Sequence, residues 1–509
     1  MTDLTDHIIH TADGRLHPKA STTNADVERI VAKAVANNAA GGMVVHFHGG
    51  LVSEKSARES ASKRLYPLYA DKAQAYPIFF VWESGFLEAP FNNLREIGKE
   101  RLFRAFVKKA GLWALKKVGG LSGFKGTAIG AVDEQTLNRE FDDWFSGKSA
   151  EPPRRLETLP GAALPEARTK GVALDEERLA EEIEPNLLDD DEFQAALSAA
   201  FNGIPPGATP RPSLKGTGST IAESSALSKE AAERLFDTQP GTTKGSLSLF
   251  KAAKVVAAIV IRSIRRSRRG RAHGGYLTVV EEVLRELYVD KLGREVWWDR
   301  MKGDTADAFR EGDEYGGTAF LAALRAQQEA GKTLPKITLV GHSTGAIYIC
   351  NFLRAANRML PSVKFNVIFE APAVSHDVLA QTVAQQGAMI SSFRSFGMSD
   401  ASEQDDDLVP IIYPASLLYF VSGLLEHEVD LPLVGMQRFL IQDVFGSDDF
   451  WSIEVCQKFF ARHPDALIWA PHDGGPGKCS NGKSHPDFDD ADSSTMDSVA
   501  HIIKTQASS

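Results

Sequence analysis

Leu334-Pro-Lys-Ile-Thr-Leu-Val-Gly-His-Ser-Thr-Gly-Ala-Ile-Tyr-Ile-Cys350 is the stretch on which the reading of the chain turns. Its β-branched, apolar run Ile337 to Val340 predicts a buried strand. From Ala346 to Leu360 the period becomes helical, with Ile349, Leu353, Ala356 and Leu360 on one face and Pro361 as the stop. Only Gly341-His342-Ser343-Thr344-Gly345 separates the two. So abrupt a turn strains the backbone at Ser343 and leaves no room for a side chain at Gly341 or Gly345. It lifts the Ser343 hydroxyl clear of the sheet, toward the first amides of the helix. In a strand–turn–helix setting, G-x-S-x-G is a nucleophile elbow. A glycine turn that only packs a helix closely on a sheet gives no reason for a serine at the apex.

The second chemical signal lies upstream. Met43 to Phe47 predicts a buried strand running into His48-Gly49-Gly50-Leu51. Glycines after a strand let main-chain amides approach a substrate, and two converging amides stabilise a developing oxyanion. The Gly50 amide, with Leu51 as the one-residue alternative, pairs with the Thr344 amide in this reading. His46 and His48 have no carboxylate or cysteine at ligand spacing, so they orient this loop and bind no metal.

A serine hydroxyl needs a base, and the base needs an orienting carboxylate. After the elbow come predicted strands Phe365 to Phe369, ending at Glu370, and Ser392 to Met398, ending at Ser399-Asp400. The acid run Glu403 to Asp407 follows. The last strand, Ala466 to Ala470, leads through a Gly-rich loop carrying His472 and His485 to a closing helix from Ser494 to Lys504. Ser…Asp…His in this order, with His-Gly-Gly ahead of it, resembles the α/β-hydrolase superfamily of the serine esterase and lipase type. The resemblance covers about Met43 to Trp82 and Leu334 to the C-terminus. It implies an α/β fold with a mostly parallel central sheet flanked by helices, and no cofactor. It favours Asp400 as the acid, with Glu370 as the main rival and Glu403 or Asp405 to Asp407 behind them. For the base it favours His485, before the last helix, over His472. The implied chemistry is ester hydrolysis through an acyl-enzyme on Ser343. Peptidase, thioesterase, acyltransferase and non-catalytic binding members share the architecture and stay open.

At 509 residues with 43% hydrophobic content, the chain can hold one large α/β domain with insertions. Its longest apolar run, Val255 to Ile261, is far short of the roughly 20 residues of a bilayer span. Met1 to Arg15 lacks the apolar core of a signal peptide, and the three cysteines show no disulfide or metal spacing. These features predict a cytoplasmic location. A net charge of −10 argues against nucleic acid as a partner. The small-molecule or lipid-like ester is the expected partner.

The sequence divides into a core segment 1–85, a helical insertion 86–331 and a second core segment 332–509. A hairpin turning at Asp13-Gly14 and a helix from Ala25 to Asn37 open the first. Within the insertion, Phe103, Phe106 and Trp113 offer an apolar surface for an acyl chain. Residues 249–271 form a basic amphipathic helix. It can either lie on an anionic membrane or pack on the protein, paired with the acidic segment Asp175 to Glu192. Residues 150–165 and 202–220 read as loops.

Overall fold

The computed structural model describes residues 4–17, 22–50, 52–82, 88–119, 134–154, 156, 175–202, 226–236, 249–268, 273–441, 451–490 and 493–506. Leu51, Glu83-Ser84-Gly85, Arg269 and most of the expected loops at 150–165 and 202–220 lie outside these.

Eight strands form the central sheet: β1 Ile8–Ala12, β2 Arg15–Leu16, β3 Met43–Phe47, β4 Tyr76–Trp82, β5 Ile337–His342, β6 Phe365–Glu370, β7 Ile390–Met398 and β8 Leu467–Ala470. Their order is β2-β1-β4-β3-β5-β6-β7-β8. All neighbours pair in parallel except the β1–β2 hairpin, which turns at Asp13-Gly14 with Thr11 opposite Leu16. β3, β4, β5 and β6 are buried along their whole length, as their mainly apolar sequences require of strands covered on both faces.

The order reverses around β3. Its successor β4 lies on one side and β5 on the other, after which β6, β7 and β8 continue away. Right-handed crossovers in opposite directions put their helices on opposite faces. One face carries the helices Asn24–Asn37, Gly316–Glu329 and Gly345–Met359, packed on Val45, Phe47, Phe80, Leu339 and Val367. The other carries the helical stretch from Glu54 to Lys72 and the closing helix Ser494–Gln506. Leu65, Tyr69, Val499 and Ile503 pack there on Val44, Phe79, Val340 and Ile368. A crevice therefore opens at the carboxyl ends of β3 and β5, where ligands of open α/β sheets bind.

The region between β4 and β5 is mainly helical, as expected, yet its last part belongs to the core. Helix Gly316–Glu329 packs on helix Asn24–Asn37, and helix Arg300–Asp307 packs on the elbow helix. The insertion proper surrounds helix Leu249–Arg268, which touches helices Arg101–Gly119, Glu176–Leu188 and Gly275–Leu287. Val256, Ala257, Ile259 and Val260 on that helix are fully buried. Lys254 pairs with Glu177 at 2.9 Å, and Arg262 pairs with Glu282 at 2.6 Å and Glu286 at 2.7 Å. The apolar stripe that could enter a membrane is thus covered by protein, and the acidic segment does supply a partner. Among the described residues no helix is long and apolar enough to cross a membrane. Phe103, Phe106 and Trp113 are buried within the insertion, with Phe106 against Phe193 at 5.2 Å.

Candidate active site at the reversal of the sheet

β5 ends at His342, and Ser343 follows with φ +53°, a left-handed conformation that a serine adopts only under constraint. The constraint is a set of main-chain bonds to the neighbouring strand's end. The Ser343 amide donates to the Glu370 carbonyl at 2.8 Å, and the Ala373 amide donates to the Ser343 carbonyl at 3.1 Å. Both flanking glycines are demanded by contact. A Cβ on Gly341 would lie 2.7 Å from the main chain of Gly345, and one on Gly345 would lie 2.2 Å from the Phe47 carbonyl. Helix Gly345–Met359 then starts beside the serine, with the Ala346 amide donating to the Ser343 carbonyl at 3.1 Å and the Ile347 amide to the Thr344 carbonyl at 2.9 Å.

The loop after β3 lies against this turn. A Cβ on Gly49 would sit 3.2 Å from Ser343 Cβ, and one on Gly50 would sit 2.9 Å from Thr344 Oγ1. His48 fixes the loop. The Trp82 amide donates to its Nε2 at 3.2 Å, which leaves Nδ1–H to donate to the Gly49 carbonyl at 2.7 Å. The Trp82 indole N–H donates to the His48 carbonyl at 3.2 Å, closing the clamp. His46 sits 3.0 Å from the Tyr69 hydroxyl through Nδ1. Both histidines act by hydrogen bonding, as expected of them.

His485 begins a short helix, His485–Asp489, before the closing helix and is 3% exposed. Its ring lies 5.0 Å from that of His342, whose Nε2 donates to the His485 carbonyl at 3.2 Å. His342, the variable residue of the elbow, thereby joins the Ser343 turn to the His485 loop; its place beside the serine was the only sequence signal for that role. Both ring nitrogens of His485 and Nδ1 of His342 are buried without a hydrogen-bond partner. Among the described residues the Ser343 hydroxyl makes no hydrogen bond to an imidazole. His472 lies elsewhere, exposed on a small hairpin and bonded to the Lys478 carbonyl at 2.6 Å.

Asp400 does sit just past β7, and both of its carboxylate oxygens are bonded to groups other than His485. Tyr419 donates to Oδ1 at 2.7 Å and Gln404 to Oδ2 at 2.9 Å. The carboxylate that reaches His485 is Asp406, which accepts its main-chain N–H at 3.2 Å. Glu403 is buried and bonded to the Ser416 hydroxyl. Glu370 is fully buried beside His342 on the adjoining strand, with neither oxygen hydrogen-bonded.

A cavity of about 380 Å³ adjoins the site; its walls include Ala57, Leu65, Val81, His46, His48, His342 and His485, while Ser343, Glu370 and Asp406 are not among them. Burial dominates its electrostatics. It pulls His46 down to about 3 and His48 to about 4, and holds His485 well below the usual histidine range, so these imidazoles are neutral at pH 7. Burial, reinforced by Asp489, pushes Glu370 well above the carboxylate range. Asp406 is raised by burial while its bond from His485 opposes the rise.

One group among the described residues has metal-ligand spacing: His273, Glu281 and Asp430, with candidate ligand atoms within 4.8 Å of one another. Arg266 occupies it already. Its guanidinium pairs with Asp430, Glu281 and Glu282, so a fixed cation stands where a metal would have to. No protein-family model, curated protein or solved structure matches the chain.

Proposed function

We propose that the protein is a serine hydrolase of the α/β-hydrolase type that cleaves a carboxylic ester at Ser343. The observation that carries this reading is the Ser343 turn itself: a serine at φ +53°, between two glycines that tolerate no side chain, facing a glycine loop. Left-handed geometry costs a serine about 1 kcal/mol or more, a cost the chain also bears at residues such as Ala371 and Ile411, so it is the combination with the two constrained glycines and the facing loop that supports the reading.

In this reading His485 takes the hydroxyl proton as Ser343 Oγ attacks the carbonyl. Burial keeps the imidazole neutral, the form that can accept a proton, and at the same time weakens it as a base, so a charge-stabilising carboxylate is needed beside it. The amides of Thr344 and Gly50 receive the oxyanion. The alcohol leaves with the proton from His485, and water then hydrolyses the acyl-enzyme by the same relay. For the acid we assign Asp406 in place of Asp400. Its oxygen already holds the His485 main chain, and Nδ1 of that residue is only a few covalent bonds from the main-chain nitrogen. The neighbouring cavity of about 380 Å³ suits a compact acyl or alcohol group.

A fluorophosphonate probe tests the chemistry, and a series of acetyl to long-chain acyl esters tests the size. Labelling at Ser343 with short esters preferred is the expected result. Labelling with peptide amides as the better substrates would move the assignment to a peptidase.

A second reading, a non-catalytic binding protein of the same architecture, draws on the missing bond between the Ser343 hydroxyl and an imidazole. Apo sites often tighten such bonds only with substrate bound. A folded protein that never takes the probe would decide for that reading.

A further inference from the structure

Asp400 holds a half-buried carboxylate–tyrosine contact that the proposed reaction does not use, and that contact sits between the insertion and His485. On the insertion side, Arg266 pairs with Glu281, Glu282 and Asp430. His273 lies in the same cluster, with Nδ1 2.8 Å from Glu281 and Nε2 3.3 Å from Asp430. Asp430 belongs to the core segment, so the cluster locks the insertion to it. The ring of His273 packs on the ring of Tyr419 at 4.7 Å. Tyr419, buried and also contacted by Arg438 at 3.3 Å, donates its hydroxyl to Asp400 at 2.7 Å.

Asp400 opens the helix Asp400–Asp405, and Asp406 is the residue that ends it. The helix is short and held along its length. Ser399 caps it, Gln437 accepts the Asp400 amide at 2.9 Å, and Ser416 donates its amide to the Glu403 carbonyl at 2.9 Å. Its far end therefore moves with its near end, and the far end carries the carboxylate on His485.

We propose that Tyr419 and Asp400 are positioning residues that tie the insertion's Arg266–His273 cluster to His485 through this helix. The tie rests on reading His485 as the base, and it gives the insertion control over where that base stands. Asp400 acts as a hydrogen-bond acceptor for Tyr419 and carries no proton-relay role.

The test uses the full chain. Tyr419→Phe removes the donated bond and should lower kcat/KM about tenfold, the scale expected from a small misplacement of a catalytic group. It should also move the acid limb of the kcat/KM pH profile and shift the His485 ring signals in a histidine-labelled NMR spectrum. Tyr276→Phe, which deletes a separate insertion-to-core bond to the Ile411 carbonyl, should leave both unchanged. Asp400→Ala should behave like Tyr419→Phe, while Asp400→Asn, which still accepts from the tyrosine, should restore near-wild-type behaviour.

Two results would overturn the proposal. One is an unmoved pH profile and His485 spectrum in folded Tyr419→Phe. The other is a loss of a thousandfold or more in Asp400→Asn, the mark of a triad acid. The NMR signals are read without turnover. If Ser343 takes no probe in wild type but Tyr419→Phe still shifts His485, the tie stands and the hydrolase reading falls.

Discussion

Two buried polar regions of this molecule are built in opposite ways. In the insertion, Arg266 is surrounded by Glu281, Glu282 and Asp430, and every carboxylate meets a cation. In the crevice at the sheet reversal, His485 and Glu370 are equally buried yet have no hydrogen-bond partner at either ring nitrogen or either carboxyl oxygen. Unpartnered buried polar groups are costly and persist where something else uses them. The paired cluster therefore reads as architecture and the unpaired one as chemistry.

The contrast breaks most visibly at Arg266. Arg266→Met leaves Glu281 and Asp430 buried without their arginine, Glu282 keeping Arg262, and should destabilise the fold by about 3–5 kcal/mol in chemical denaturation. A loss below 1 kcal/mol would mean that the cluster is solvated and not a lock. Gly345→Ala comes next, at about 1–3 kcal/mol, because its methyl must displace the Phe47 carbonyl. It should also abolish probe labelling, whereas Arg266→Met in its folded fraction should only reduce it.

At Glu370 the sign reverses. Its folded state keeps a proton that the unfolded chain sheds above the ordinary carboxylate range, so its contribution to stability is present at low pH and is lost as pH rises. Glu370→Gln, which cannot ionise, should stabilise the protein by about 1 kcal/mol at pH 8 and by less at pH 4. A destabilised variant at pH 8 would show that Glu370 is ionised and held by a partner.

The smallest effect is acid sensitivity from the histidines. His46 and His48 titrate near 3 and 4 when folded and near 6.5 when unfolded. Below about pH 6.5 the unfolded chain gains protons that the folded one refuses, so stability should fall as pH drops from 6.5 toward 4. His46→Gln should flatten that slope in denaturation curves taken across the range, and an unchanged slope would contradict the assignment.

The sequence made the strands legible because they are covered on both faces. Met43 to Phe47 is apolar apart from His46, and the glycine–serine–glycine spacing of the elbow stands in five consecutive residues. The helical stretch from Glu54 to Lys72 was not read, although Ala57, Ala61, Leu65 and Leu68 give it an inward stripe. Alanines weaken the stripe and Pro67 interrupts it. Helix His376–Gln386, the crossover from β6 to β7, hid behind a run of glutamines. The bond from the His485 main chain to Asp406 was invisible because it depends on which end of a short helix lies against His485. A partner far along the chain sets that orientation, and strand spacing carries no trace of it.

The central claim is that the strained serine is a nucleophile, and one measurement bears on it directly. Full-length protein and Ser343→Ala are incubated with a fluorophosphonate probe under folded conditions, and the labelled peptide is mapped by mass spectrometry. The account predicts one adduct, on Ser343, absent from the alanine variant and reduced by at least a hundredfold in His485→Ala. A folded wild type that takes no probe, or takes it equally without His485, would contradict it.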